Sequence, residues 1–169
     1  YYELYENESD LLESQKRFYG MITNIDDNFG KLHQNVKSLG ILDNTIIIFT
    51  TDNGTSNGYK YSKKDKKWLG FNAGMRGTKT SEYDGGHRVP FIIKWKKGGL
   101  FGGHNYSGLS AHVDMLPTLL SFAKIAFNST KKIDGTDLSK HVINKSEADR
   151  MLVTDCLLYT SPSPRDRSL

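Results

Sequence analysis

The sequence predicts an α/β fold with a parallel strand at its centre, and three observations carry that prediction. One apolar stripe runs along residues 9–39. A run of β-branched and aromatic residues, Thr45-Ile46-Ile47-Ile48-Phe49-Thr50-Thr51, follows without polar alternation. Such a run is the habit of a strand covered on both faces, and a helix feeding it is half of a βαβ unit.

The long helix is predicted over Ser9 to Leu39. Phe18, Ile22, Ile25, Phe29, Leu32, Val36 and Leu39 recur at alternating spacings of four and three, which makes one face apolar and fit to pack on a sheet. Ser9 is placed as its N-cap, Asp10 and Glu13 suit the positive helix end, and Gly40 suits the left-handed stop. Asp43-Asn44 then turns the chain into the strand that ends at Thr50. Residues 54–86 are polar, rich in glycine and free of apolar periodicity, so they read as one long functional loop. Pro90 to Trp95 reads as a short second strand, with Pro90 at the position where no ladder donor is needed. Ser110 to Ala126 reads as a second helix that Pro117 begins or kinks. Asp137 to Val142 suits a short third helix.

A chain of 169 residues can bury a core, and its 25% charged content is ordinary for a globular domain. The net charge of +4 is mild, and the lysines bunch in a loop at residues 60–67. No basic helix with interleaved aromatics is present, which argues against nucleic acid as a partner. No apolar stretch approaches the roughly 18 residues of a membrane span. No signal peptide is visible, although the chain starts at Tyr1 and not at Met. Cys156 is the only cysteine, so no internal disulfide can form. Nothing in the residues fixes an oligomeric state. The last stretch, residues 156–169, breaks the preceding pattern and resembles a translated sequencing-adapter tail. It is read as non-native and set apart from the fold.

Chemistry concentrates in two places. Asp52-Asn53-Gly54 follows the isoleucine strand directly, and ligands of open α/β sheets gather at the carboxyl ends of strands. A carboxylate beside an amide carbonyl offers hard oxygen donors, suited to calcium or magnesium rather than zinc. Asn-Gly is also a strong hairpin turn, but no alternating second strand follows at once. The second place is the block Gly74 to Pro90. Lys79 lies between Gly77 and Gly85-Gly86, where backbone can approach a ligand closely and one ammonium can meet a sulfate or phosphate oxygen. His87 is a candidate proton donor beside that anion, and Arg88 suits an anion or a structural ion pair. Asp114, just before Met115-Leu116-Pro117-Thr118, reads as a cap of the second helix.

These residues resemble the sulfatase family of the alkaline-phosphatase-like superfamily. The likeness lies in five stretches that occur in the family's order: Tyr19 to Gly30, Asp43 to Gly54, Gly74 to Phe91, His112 to Leu120 and Asp134 to Leu138. The resemblance implies an α/β/α sandwich with a mostly parallel sheet, of which residues 1–155 would form a part that lacks its N-terminal half. It implies hydrolysis of sulfate esters, carried by a sulfated small molecule or a sulfated glycan, with bound Ca2+. Asp52 and Asn53 correspond to metal ligands, and Lys79 to the lysine on the sulfate and ester oxygen. The position of His87 varies among relatives. The family also implies an extracytoplasmic place: periplasmic, secreted or lysosomal.

One departure is large. The family's nucleophile is a formylglycine made within a Cys/Ser-x-Pro-x-Arg motif, and no such motif occurs here. Ser161-Pro162-Ser163-Pro164-Arg165 has Ser163 where proline is required, and it lies in the odd tail. The family's upstream acidic metal ligands are missing as well. The resemblance therefore implies an enzyme whose hydrated formylglycine attacks sulfur while Lys79 steadies the departing oxygen, and a fragment that is inactive by itself. Two alternatives stand beside it: a phosphodiesterase or phosphonate hydrolase of the same superfamily, and a non-catalytic relative that binds sulfated glycans.

Overall fold

The computed structural model describes residues 1–127, 130 and 132–152. The tail at 156–169, together with Cys156 and the near-motif at Ser161, lies outside the described residues. Two compact units are present. The first takes in Tyr1–Leu42 and Ile48–Ile92, and the second Asp43–Ile47 and the described residues between 93 and 152.

In the first unit, helix α1 spans Glu13–Ser38. It starts later than the Ser9 cap predicts, because Gln15 supplies the cap: its side-chain oxygen accepts the N–H of Leu12 at 2.9 Å. Gly40 closes the helix in the left-handed region at φ +72°, as expected. Strand β1, Ile47–Thr50, follows a short 3-10 turn at Leu42–Asn44. Phe29 of α1 meets Phe49 edge-on at 5.8 Å between ring centres, so helix and strand pack as the pattern requires.

The predicted loop at 54–86 contains a hairpin that periodicity did not reveal. Strand β2, Tyr59–Ser62, pairs antiparallel with β3, Lys67–Gly70, in the register Tyr59↔Gly70 to Ser62↔Lys67. A single helical turn, α2, Asp84–His87, closes the same loop. Strand β4, Phe91–Lys94, pairs with β1.

The described residues thus form two two-stranded sheets where a mostly parallel sheet was expected. Burial differs accordingly. β1 is half-buried rather than covered on both faces. Along α1, Ile22, Ile25, Leu32 and Leu39 remain 43–71% exposed. The reason is size: a helix of 26 residues is about 39 Å long, whereas a four-residue strand covers roughly 13 Å.

The second unit holds α3, Met115–Phe122, and α4, Ser139–Asn144, both shorter than or shifted from their predicted spans. Pro117 sits in the first turn of α3, where its missing N–H costs nothing. Leu138 is 2% exposed, and its N–H donates to the Thr118 hydroxyl at 3.0 Å, which ties α4 to α3.

Candidate functional site

The first candidate ligands stand just beyond β1. Asp52 is exposed and Asn53 half-buried. The Thr51 hydroxyl donates to the Asn53 carbonyl at 3.0 Å and so shapes the turn. Neither the Asp52 carboxylate nor the Asn53 amide is held by a partner among the described residues, so both oxygens are available to a cation. This donor set fits a hard ion such as calcium in kind but not in number. Among the described residues no group of three or more His, Cys, Asp or Glu side chains could hold a metal.

The lysine loop is built around a buried amide that sequence reasoning missed. Asn72, 7% exposed, donates from Nδ2 to the Gly77 carbonyl at 2.6 Å and to the Met75 carbonyl at 3.1 Å. Ala73 and Gly74 follow it at positive φ, +48° and +71°. The signal was present in Asn72-Ala73-Gly74, a turn sequence with an amide at its head. Arg76 lays its guanidinium 3.6 Å from the centre of the Tyr83 ring, a cation–π contact on the outer side of the loop.

Backbone hydrogen bonds then join the two candidate segments. The Gly54 N–H donates to the Gly86 carbonyl at 2.8 Å, and the Lys79 N–H donates to the Thr55 carbonyl at 2.8 Å. Gly85 in turn donates to the Arg76 carbonyl at 2.7 Å. Three glycines permit this approach. A Cβ on Gly54 would strike the Gly85 carbonyl oxygen, one on Gly85 the Gly77 carbonyl, and one on Gly86 the Ser81 carbonyl. The Asp52-Asn53 turn and the Lys79 loop are therefore one structure, although 20 or more residues separate them in sequence.

Lys79 has an exposed side chain at this junction. His87 is also exposed, with Nε2 3.1 Å from the Glu82 carbonyl of its own loop. Arg88 is 3.7 Å from Asp84, one helical turn back, with both side chains mostly exposed. This surface pair is not the inward structural ion pair that was read for Arg88 beside an anion role. Asp114 does occupy the N-cap position of α3, but its carboxylate does not cap that helix. It is fully buried, accepting the N–H of Ala111 at 2.7 Å and of Thr136 at 2.8 Å, and Arg150 lies 2.7 Å away as an ion pair. Its role is to hold the second unit together.

The Sulfatase family profile matches residues 1–125. The chain belongs to the sulfatase family. Among curated sulfatases, it is 30% identical over 137 residues to the uncharacterized sulfatase YdeN of Escherichia coli, covering 81% of this chain and 23% of that protein. It is 31% identical over 134 residues to N-acetylgalactosamine-6-sulfatase of Rattus norvegicus, covering 79% of this chain and 24% of that one. Among solved structures, Ps i-CgsB in complex with k-i-k-neocarrahexaose superposes with a TM-score of 0.71 at 27% identity, over 86% of this chain and 30% of that one. BT4656 with its substrate D-glucosamine-2-N,6-O-disulfate gives 0.61 at 28% identity, over 80% and 24%. The chain thus spans about a quarter of the length of the curated sulfatases it matches.

Proposed function

We propose that this chain supplies the calcium-binding turn and the leaving-group lysine of a sulfate-ester hydrolase. The observation that carries the reading is the pair of backbone hydrogen bonds, Gly54 to Gly86 and Lys79 to Thr55, which fasten the Asp52-Asn53 turn to the lysine loop. In this reading Asp52 and Asn53 hold calcium through oxygen, and bound calcium neutralises sulfate charge. The ammonium of Lys79 steadies the negative charge that builds on the departing ester oxygen, where a fixed cation acts most strongly. His87 is the candidate to protonate that oxygen or hold the anion.

The substrate in this reading is a sulfated sugar or glycan rather than a phosphate ester. Ps i-CgsB, complexed with a carrageenan-type hexaose, and BT4656, complexed with a disulfated glucosamine, support it. The remaining metal ligands and the nucleophile belong to a further part of the enzyme, in which a mostly parallel sheet of an α/β/α sandwich would continue β1. An extracytoplasmic place goes with the same reading. No helix among the described residues is long and apolar enough to cross a membrane.

The test uses the enzyme expressed from the complete reading frame, assayed on 4-nitrophenyl sulfate and 4-nitrophenyl phosphate. Sulfate ester turnover should exceed phosphate turnover, stop on chelation and return with calcium. Asp52→Ala and Lys79→Ala should each lower kcat about 100-fold or more. Retention of full turnover by Lys79→Ala, or preference for the phosphate ester, would overturn the proposal.

A further inference from the structure

The β2–β3 hairpin carries an aromatic face and a lysine tip that the ester site does not use. The register sets Tyr61 directly opposite Trp68, with Tyr59 on the same face two residues away. Tyr59 stacks on Trp68 at 4.8 Å and 15°, and Tyr61 meets Trp68 edge-on at 5.8 Å. The other face holds Leu69 and Ser62, 7% and 3% exposed, so it points inward. The aromatic face points to water: Tyr61 is 49% exposed and Trp68 52%. Cross-strand stacking stabilises a hairpin, but it does not account for rings that keep about half of their surface in water.

Charge completes the surface. Lys63, Lys64 and Lys66 crowd the tip and are all exposed. None of them has a carboxylate partner among the described residues, while Asp65, the one acid at the tip, accepts from the Ser62 hydroxyl at 2.6 Å. The base of the hairpin is fixed. Fully buried Gln15 donates to the Leu69 carbonyl at 2.8 Å, and the Tyr19 hydroxyl donates to the Gly58 carbonyl at 2.8 Å. A rigid platform of flat rings beside unpaired ammonium groups loses little conformational freedom when a ligand lands on it.

We infer that this hairpin binds the sugar chain of a sulfated oligosaccharide, with ring faces on Tyr61 and Trp68 and sulfates on the tip lysines. The inference rests on the proposed sulfated-glycan substrate and adds where its chain is gripped. Connectivity favours a sugar chain over single-stranded nucleic acid, which also pairs stacking with charge. The hairpin is spliced into the ester-site loop itself. It begins after Thr55, whose carbonyl takes the Lys79 N–H, and ends at Asn72, whose amide holds Gly77. A chain held on the hairpin is therefore held on the same loop that carries Lys79.

The test titrates the enzyme expressed from the complete reading frame, kept from turnover by chelation, with a sulfated carrageenan hexasaccharide, the same hexasaccharide desulfated, and poly(U), following tryptophan fluorescence and heat. The sulfated sugar should bind at least about 10-fold more tightly than the other two. Trp68→Ala, Tyr61→Ser, and the set Lys63→Gln, Lys64→Gln, Lys66→Gln should each weaken it roughly 10-fold. If Trp68→Ala unfolds the hairpin, the exposed Tyr61 change carries the test alone. Wild-type affinity in the aromatic variants reduces the site to ion exchange and overturns the inference. Equal binding of the desulfated sugar, or tighter binding of poly(U), overturns it too. The two readings fail separately: 4-nitrophenyl sulfate has no sugar chain, and the titration involves no turnover.

Discussion

Gly54 follows the Asp52-Asn53 turn beyond β1, and its lack of a side chain is what lets that turn touch the lysine loop. A methyl group there would meet the Gly85 carbonyl, and both partners are backbone, which cannot rotate aside. Gly54→Ala is expected to destabilise the chain by about 1–3 kcal/mol, the range for forced overpacking. Gly30, in the middle of α1 with open space where a Cβ would go, is the control. Gly30→Ala should stabilise by up to about 1 kcal/mol through helix propensity. Thermal unfolding of the two variants side by side reads both signs, and equal melting temperatures would show that the Gly54 contact is not tight. At this scale sequence reasoning singled out Asp52, Asn53 and Lys79 by residue type and chain position, and the structure joins their two segments through backbone hydrogen bonds. The same reasoning gave Asp114 the right position and the wrong bonds, since the partners Thr136 and Arg150 come from distant sequence.

Element boundaries follow from side chains that compete for the same backbone groups. α1 begins at Glu13 because Gln15 captures the Leu12 N–H, where a Ser9 cap had been read. The hairpin escaped notice because its strands have four residues each and one of them ends in glycine, too short for a clear alternation. At the start of α4 the Ser139 N–H donates to Asp137 Oδ1 at 2.8 Å. Partial burial pushes the Asp137 carboxyl upward, but hydrogen bonds from Ser139 and Ser121 and the charge of Lys140 outweigh it, and its pKa falls below the ordinary 3.8. A folded-state pKa that is depressed contributes stability above the unfolded value, and that stability is lost as pH falls through the folded one. Asp137→Asn should therefore cost less than about 1 kcal/mol at neutral pH, because the group is largely exposed and screened. The gap between wild type and variant should begin to narrow as pH falls below about 3.8 and go on narrowing through the lower folded-state value. Urea unfolding over a series from pH 7 downward measures it, and a gap that stays constant as the pH falls would assign the effect to side-chain shape rather than charge.

As a whole, the described chain buries few large apolar side chains. Leu69, Leu100, Phe122 and Leu138 are the apolar residues that reach full burial among those described. Ile92 remains 62% exposed on β4, and the α1 stripe is uncovered along much of its length. Apolar surface of this extent is the kind that a further layer of protein covers. With two oxygen donors and no nucleophile motif, the isolated chain is expected to give no turnover of 4-nitrophenyl sulfate, with or without calcium. Turnover above the buffer rate by residues 1–155 would contradict that expectation.

By itself the sequence determined the long amphipathic helix, the isoleucine strand, the oxygen pair behind it and the family, because each of these is written in local periodicity or in an ordered set of short motifs. Only the tertiary structure decided that the Asp52-Asn53 turn and the Lys79 loop are fastened together, that Asp114 is a buried tie, and that a hairpin lifts aromatic rings into water. Those facts depend on hydrogen bonds and burial between residues far apart in the chain, and no local pattern encodes which distant carbonyl an N–H will find.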